Sequence, residues 1–141
     1  MFDGKFRTPV DKAVKPIGNA LRKTGLTPDH LTILGLLVGV GAAVAIGAGY
    51  LRLGLLLVIL AALPDLLDGA LAKASDSASQ RGAFFDSTVD RITDALLLGG
   101  IAWYLATEES PHMALLPYAV MAVSSLISYQ RAKAESLGIE A

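Results

Sequence analysis

Two stretches decide the fold, Asp65-Leu66-Leu67-Asp68-Gly69-Ala70-Leu71-Ala72-Lys73 and Gly82-Ala83-Phe84-Phe85-Asp86-Ser87-Thr88-Val89-Asp90. Two of their aspartates stand three residues apart and two stand four apart, all in strongly apolar surroundings. Ionised carboxylates at membrane depth are costly unless a partner, a water-filled cavity or a metal stabilises them. The stretches therefore bear on both the fold and the kind of site that the chain builds.

The composition is too apolar for an ordinary soluble domain. Of the 141 residues, 53% are hydrophobic and 18% are charged, and the length suits one domain, 1–141. The absence of cysteine excludes disulfides and thiolate metal sites, so any metal would have oxygen ligands. A net charge of −1 gives no general argument for nucleic-acid binding, and none is expected. The charged first thirty residues do not resemble a signal peptide.

The apolar segments predict an all-α integral membrane protein with four transmembrane helices. Residues 31–51 and 110–130 are two runs of 21 residues without a formal charge, each long enough to cross about 30 Å of hydrocarbon. The two middle helices can cross only if they include some of the aspartates. The predicted spans are about 29–51, 53–73, 83–107 and 110–131. Two short buried helices of a soluble protein are the alternative for the middle segments.

The basic residues predict the orientation in the membrane. With four spans, both termini and the central loop share one side, which we expect to be the cytoplasmic face of the plasma membrane. That side holds eleven of the twelve lysines and arginines: Lys5, Arg7, Lys12, Lys15, Arg22, Lys23, Lys73, Arg81, Arg91, Arg131 and Lys133. Arg52 lies on the other side, and the four aspartates lie at the cytoplasmic face.

Residues 1–28 are predicted to contain an interfacial amphipathic helix. Apolar residues recur there at helical spacing with basic residues between them: Val10, Val14, Ile17 and Leu21 alternate with Lys12, Lys15, Arg22 and Lys23. Such a segment can lie on anionic headgroups. An ordinary solvated leader is the alternative. After it, Thr27, Pro28 and Asp29 predict a cap at the start of the first span.

The four aspartates predict a metal site. Residues three or four apart share a helix face, so Asp65 pairs with Asp68 and Asp86 with Asp90. The short polar turn between the helices predicts antiparallel neighbours whose acidic ends face each other. Converging carboxylates suit hard divalent ions such as Mg²⁺, Mn²⁺ or Ca²⁺, and two such ions clamp oxygens in phosphoryl transfer.

Glycines and basic residues beside the aspartates favour a diphosphate ligand. Gly69 and Gly82 allow close approach of a backbone or ligand, and Lys73 and Arg81 flank the polar turn. At headgroup level this combination suits a lipid diphosphate. The alternative is a set of acids that cap helix ends or pair with Arg81 and Arg91.

The spacing D-x-x-D-G-x-x-A-basic-x8-G-x-x-x-D-x-x-x-D resembles the signature of the CDP-alcohol phosphotransferase family. These are integral-membrane enzymes of phospholipid synthesis. The chain matches all four aspartates, both glycines and Ala72. It differs at Lys73, where the family usually has arginine, so the charge remains but the bidentate fork is lost.

The resemblance implies a displacement at the β-phosphorus of a CDP-linked lipid, in which an alcohol attacks and CMP leaves. It implies two Mg²⁺ or Mn²⁺ ions held by Asp65, Asp68, Asp86 and Asp90. Asp90 is then also the general base that takes the alcohol proton. The residues that the resemblance assigns to CDP-diacylglycerol binding are Asp29, His30, Leu31, Thr32, Gly69, Lys73, Ser79 and Gly82.

The end of the last span bears on the acceptor alcohol. Ser128-Tyr129-Gln130-Arg131-Ala132-Lys133-Ala134-Glu135 resembles an element of the family branch that uses 1D-myo-inositol 3-phosphate. Arg131 and Lys133 would then bind the acceptor phosphate; the alternative for them is a positive-inside anchor. Glycerol 3-phosphate is the alternative acceptor. A non-enzymatic membrane protein with a structural cation site is the alternative function.

The resemblance also bears on completeness and assembly. It implies six membrane helices in a complete member and a homodimer, so the chain is expected to be incomplete at its C-terminal end. Gly35, Gly39 and Ala43 can support helix packing, within or between chains. Arg91 and Asp94 form either an ion pair or an outer layer of the metal site.

Overall fold

In a computed structural model of the chain, the described residues are 16, 19–20, 23–25, 27–75 and 79–139. For residues 64–66 and 68–75 the description covers the helical backbone alone. The predicted interfacial helix lies mostly outside the described residues. Those residues confirm the all-α prediction, and their helices are α1 (Pro28–Gly47), α2 (Leu51–Ser75), α3 (Gln80–Glu108), a 3₁₀ turn (Pro111–Ala114) and α4 (Leu115–Ser136).

The start of α1 is a capping box, as Thr27 and Pro28 predict. The Thr27 hydroxyl accepts a hydrogen bond from the His30 backbone N–H at 3.4 Å. In return, His30 Nδ1 accepts one from the Thr27 backbone N–H at 3.3 Å. Two N–H groups that lack partners within the helix are thereby satisfied, which fixes where α1 begins.

The end of α1 lies at Gly47, four residues before the end that the uncharged run predicts. Gly49 adopts a φ of 84°, and the Tyr50 N–H donates to the Ala45 carbonyl at 2.8 Å. This turn reverses the chain, and α2 begins at Leu51. Hydropathy does not mark the boundary because the residues on both sides of the turn are apolar.

Small residues let α2 pack closely against α1 in an antiparallel direction. Gly54 of α2 lies against the Ile46 side chain, and Leu57 lies beside Gly41. A Cβ atom at Gly54 would lie 3.4 Å from the Ile46 backbone nitrogen. Close backbone approach of this kind is typical of small residues in membrane helix interfaces.

The opposite side of α1 packs against α3, and these two helices run parallel. Gly39 lies against Thr93, the Ala43 backbone lies against Gly100, and Gly47 lies against the Trp103 ring. Gly39 and Ala43 therefore serve packing within the chain.

The prediction that α2 and α3 are neighbours at their acidic ends stays a prediction, because the side chains of residues 68–75 lie outside the described residues. The two helices run in opposite directions, as predicted, but residues 51–63 of α2 make no contact with α3. Both helices instead pack against α1, whose small residues allow close approach on two sides.

Among the described residues, two helical segments are long and apolar enough to cross a membrane, Pro28–Gly47 and Pro111–Ser136. Within the described part of the chain, α2 contributes only a shorter apolar stretch, Leu51–Leu63. Pro117 is the buried residue of α4, and most of its large apolar side chains are exposed, among them Leu116, Tyr118, Val120, Val123 and Leu126. An exposed apolar surface of this kind suits contact with hydrocarbon.

Adjacent glycines of α3 provide a matched test of the α1–α3 contact. A methyl group at Gly100 would lie 3.0 Å from the Ala43 Cα, whereas one at Gly99 would meet nothing within 4 Å. We expect Gly100→Ala to cost about 1–3 kcal/mol of stability because of overpacking. Gly99→Ala should be neutral or stabilising by up to about 1 kcal/mol because alanine favours helix. Thermal unfolding in detergent measures both, and equal melting temperatures would contradict the packing.

Candidate functional site

The start of α3 is fixed by Ser79. This residue is extended, and its hydroxyl accepts a hydrogen bond from the Gly82 backbone N–H at 3.0 Å. The cap sets the helical phase of α3, with Asp86 and Asp90 one turn apart on the same side. The chain is helical at both residues, so Asp86 and Asp90 share one helix face, as their i, i+4 spacing predicts.

Asp86 lies on the stripe of α3 that faces α1. Counting forward from Asp86 in helical steps reaches Val89, which is buried, and then Thr93, which packs on Gly39. The Asp86 Oδ1 atom is buried and has no hydrogen-bond partner among the residues that the structure describes. A buried oxygen without a partner costs about 1–3 kcal/mol, more when charged. This bare carboxylate oxygen is therefore suited to a cation.

Positions 65 and 68 of α2 continue the stripe that packs against α1. Gly54 and Ala61 are buried, and Asp65 follows Ala61 by four residues, with Asp68 three residues further on. The antiparallel contacts of α2 with α1, continued along the helices, bring positions 65 and 68 to the level of residues 31–34.

The same extrapolation along α3 brings all four aspartates to one end of the bundle. Continuing the Gly39–Thr93 register places Asp86 and Asp90 at the level of residues 32 and 36 of α1. At 1.5 Å per residue, the four positions fall within about 8 Å along the bundle. Among the side chains that the structure describes, three or more potential ligands do not cluster. Those of Asp65 and Asp68 lie outside that description, so the four-carboxylate centre stays a prediction.

The N-termini of α1 and α3 lie side by side at this end. Asp29 is in the first turn of α1, and its Oδ2 atom lies 3.9 Å from Nη2 of Arg81, in the first turn of α3. The Arg81 side chain is 87% exposed. Because the helices run parallel, their partial positive charges are directed to the same end, where they favour an anion.

Most of the predicted nucleotide residues lie in these two helix starts. Asp29, His30, Leu31 and Thr32 belong to the first turns of α1, and Ser79 and Gly82 cap α3. Thr32 is 3% exposed, and its hydroxyl donates to the Pro28 carbonyl at 3.1 Å. Gly69 and Lys73 belong to the C-terminal part of α2, where only the backbone is described.

Arg91 and Asp94 form an ion pair, one of the two arrangements that the sequence left open. Arg91 Nη2 lies 3.2 Å from Asp94 Oδ2 on the same helix. The other terminal nitrogen, Nη1, donates to the Ser128 hydroxyl of α4 at 3.0 Å. The i, i+3 spacing signals the pair, but the contact with Ser128 crosses between helices and has no local sequence signal.

The structure separates the two predicted acceptor residues around α4. Arg131 and Lys133 are two residues apart, and residues with that spacing do not share a helix face. Arg131 lies on the face of Ser128 and forms an ion pair with Glu135 at 3.2 Å. Arg131 and Lys133 therefore lie on different sides of α4, and their binding of the acceptor phosphate stays a prediction.

The site can be compared with known proteins. The model of the CDP-alcohol phosphatidyltransferase family matches residues 25–137. The chain belongs to this family. A phosphatidylinositol phosphate synthase of Mycobacteroides abscessus is 36% identical over 132 residues, which cover 92% of this chain and 60% of that protein. The chain thus spans about 60% of the length of such relatives. The family is membrane-associated.

Solved structures resemble the fold. The Mycobacterium tuberculosis phosphatidylinositol phosphate synthase PgsA1 with CDP-DAG bound matches with a TM-score of 0.82 and 34% identity, over 90% of this chain and 65% of that one. The same enzyme in complex with manganese and citrate matches with a TM-score of 0.81 and 35% identity, over 89% and 61% of the two chains. The similarity to these solved structures agrees with the helix arrangement described above and with the family assignment.

Asp86 provides a test of cation binding that does not depend on activity. Without divalent ions, Asp86→Asn should melt at or above the wild-type temperature, because it removes a buried charge that lacks a donor. Millimolar MnCl₂ should raise the melting temperature of the wild type more than that of the variant. Asp94→Asn is the control and should keep the Mn²⁺ response. Equal responses of Asp86→Asn and the wild type would contradict the assignment.

Proposed function

We propose that the protein transfers a phosphatidyl group from CDP-diacylglycerol to 1D-myo-inositol 3-phosphate, releasing CMP. The observation that carries the proposal is the buried Oδ1 of Asp86, which has no hydrogen-bond partner among the described residues. The extrapolated helix register, in which Asp65, Asp68 and Asp90 lie near the same level, supports it. The family membership and the synthases that resemble the chain support the choice of reaction.

The residues that would hold the cofactor are Asp65, Asp68, Asp86 and Asp90. Their carboxylates are the ligands that Mg²⁺ and Mn²⁺ prefer, and a similar structure is in complex with manganese. We propose two ions. When bound, they neutralise charge on the phosphoryl oxygens.

The donor diphosphate would lie against the paired starts of α1 and α3. Their N–H groups and dipoles favour an anion without the entropy cost of ordering long side chains. Gly82 would contact the ligand at the start of α3, and Lys73 would supply one positive charge as a point contact. The remaining contacts proposed for CDP-diacylglycerol are Asp29, His30, Leu31, Thr32, Gly69 and Ser79.

Asp90 would act as the general base. An acceptor hydroxyl oxygen forms a bond to the β-phosphorus, and the bond from this phosphorus to the CMP oxygen breaks. The hydroxyl proton passes to the Asp90 carboxylate, and CMP leaves with the electron pair of the broken bond. Asp90 is half-buried one turn beyond Asp86, so the proposed base and one proposed cation ligand share one face of α3.

We propose that Arg131 contacts the acceptor phosphate, because it lies on the Ser128 face of α4. Lys133 would act from another side of the helix, alone or as a membrane-surface anchor. We further propose a multi-pass protein of the plasma membrane that works as a homodimer with its active site on the cytoplasmic face.

CMP release tests the reaction and the acceptor. With CDP-diacylglycerol and Mg²⁺ or Mn²⁺, CMP should appear only when an acceptor is added, and inositol phosphate should compete best against glycerol 3-phosphate, inositol and serine. Chelation should abolish release. A preference for glycerol 3-phosphate would select the alternative acceptor. No CMP with any acceptor, from protein that still binds Mn²⁺, would favour a structural cation site.

Replacement of Asp90 separates base catalysis from cation binding. Asp90→Asn should lower kcat at least about 100-fold, the usual contribution of a general base. A reduced thermal stabilisation by Mn²⁺ should remain, because Asp65, Asp68 and Asp86 are intact. Glu108→Gln, at the other end of α3, is the control and should keep wild-type turnover. Undiminished turnover of Asp90→Asn would refute the base assignment.

A further inference from the structure

Specific contacts must hold α4 in its position relative to the aspartates. Pro117 is buried near the start of α4, whereas the described residues around Ser128 are exposed or half-buried. Apolar packing alone therefore constrains the C-terminal half of α4 weakly. Hydrogen bonds and ion pairs with α3 therefore contribute more to the position of α4 at this end.

Arg91 makes such contacts through both terminal nitrogens of its guanidinium group. One terminal nitrogen is held by Asp94 on α3 at 3.2 Å, and the other donates to Ser128 on α4 at 3.0 Å. The guanidinium group is planar and rigid, so anchoring one nitrogen also directs the other. Asp94 thus orients Arg91 from its own helix, and Arg91 reaches α4.

This contact joins the two parts of the proposed site. Arg91 directly follows Asp90, and Ser128 lies one turn before Arg131 on the same face of α4. Holding Ser128 against Arg91 therefore sets the distance between the proposed base and the proposed acceptor contact.

We propose that Arg91, oriented by Asp94, is a positioning residue that holds the Ser128 face of α4 against the aspartate-bearing half of α3 and so determines acceptor binding. The inference rests on the proposed function for its kinetic consequence. The donor site, at the starts of α1 and α3, does not depend on this contact.

Steady-state kinetics test the kinetic consequence. Arg91→Gln should raise the acceptor KM about tenfold through misplacement of α4, with the CDP-diacylglycerol KM unchanged. Ser128→Ala should act in the same direction, and the double variant should equal the more affected single variant because both remove one contact. Arg91→Lys should restore acceptor binding only in part. Arg52→Gln, at the opposite end of the bundle, is the matched control.

A distance measurement tests the positioning itself without requiring activity. The chain has no cysteine, so Ala95→Cys on α3 and Ile127→Cys on α4 can carry spin labels selectively. Arg91→Gln and Ser128→Ala should broaden the distance distribution between the labels, and Arg52→Gln should not.

The outcomes distinguish this inference from the proposed reaction. Broadening in a protein that shows no CMP release supports the contact and rejects the reaction. An unchanged distance distribution in Arg91→Gln overturns the positioning role, as does an acceptor KM that stays at the wild-type value while turnover falls. A parallel rise in both KM values also overturns it, because a general loss of structure would affect both substrates.

Discussion

Close backbone approach along α1 is the constraint on which the rest of the structure depends. One side of this helix admits α2 at Gly54, and the other admits α3 at Gly100. Larger residues at these points would separate the helices by the width of a side chain. The aspartates of α2 and α3 would then lie too far apart to share the ions proposed above, so the small residues in the middle of the bundle bear on the geometry at its end.

Local signals in the sequence account for much of this arrangement. Thr27 and Pro28 mark the start of α1, and the i, i+4 spacing of Asp86 and Asp90 places both on one side of α3. These features depend on neighbours a few residues away, which a sequence displays directly. The spacing of the whole aspartate motif also predicted the family, and the family model that matches residues 25–137 confirms it.

Features that depend on distant residues were not predicted in the same way. Hydropathy does not reveal the turn at Gly49, because an uncharged run continues across it. The packing of residues 51–63 of α2 on α1, rather than on α3, depends on which faces carry small residues. The hydrogen bond from Arg91 to Ser128 joins positions 37 residues apart, and nothing in either local sequence indicates the other. Tertiary geometry decides such contacts, and local pattern does not encode it.

The contact between Gly47 and the Trp103 ring gives the protein an intrinsic fluorescence probe. Trp103 is the single tryptophan of the chain, and its indole lies across the α1–α3 junction at the end of the bundle away from the aspartates. Its emission therefore reports on one junction without interference from other indoles. The Trp103 side chain is half exposed, so its emission responds to its surroundings as well as to the junction. A ligand that binds only at the aspartate end does not touch this fluorophore, so a change in its emission would report a change that extends along the bundle.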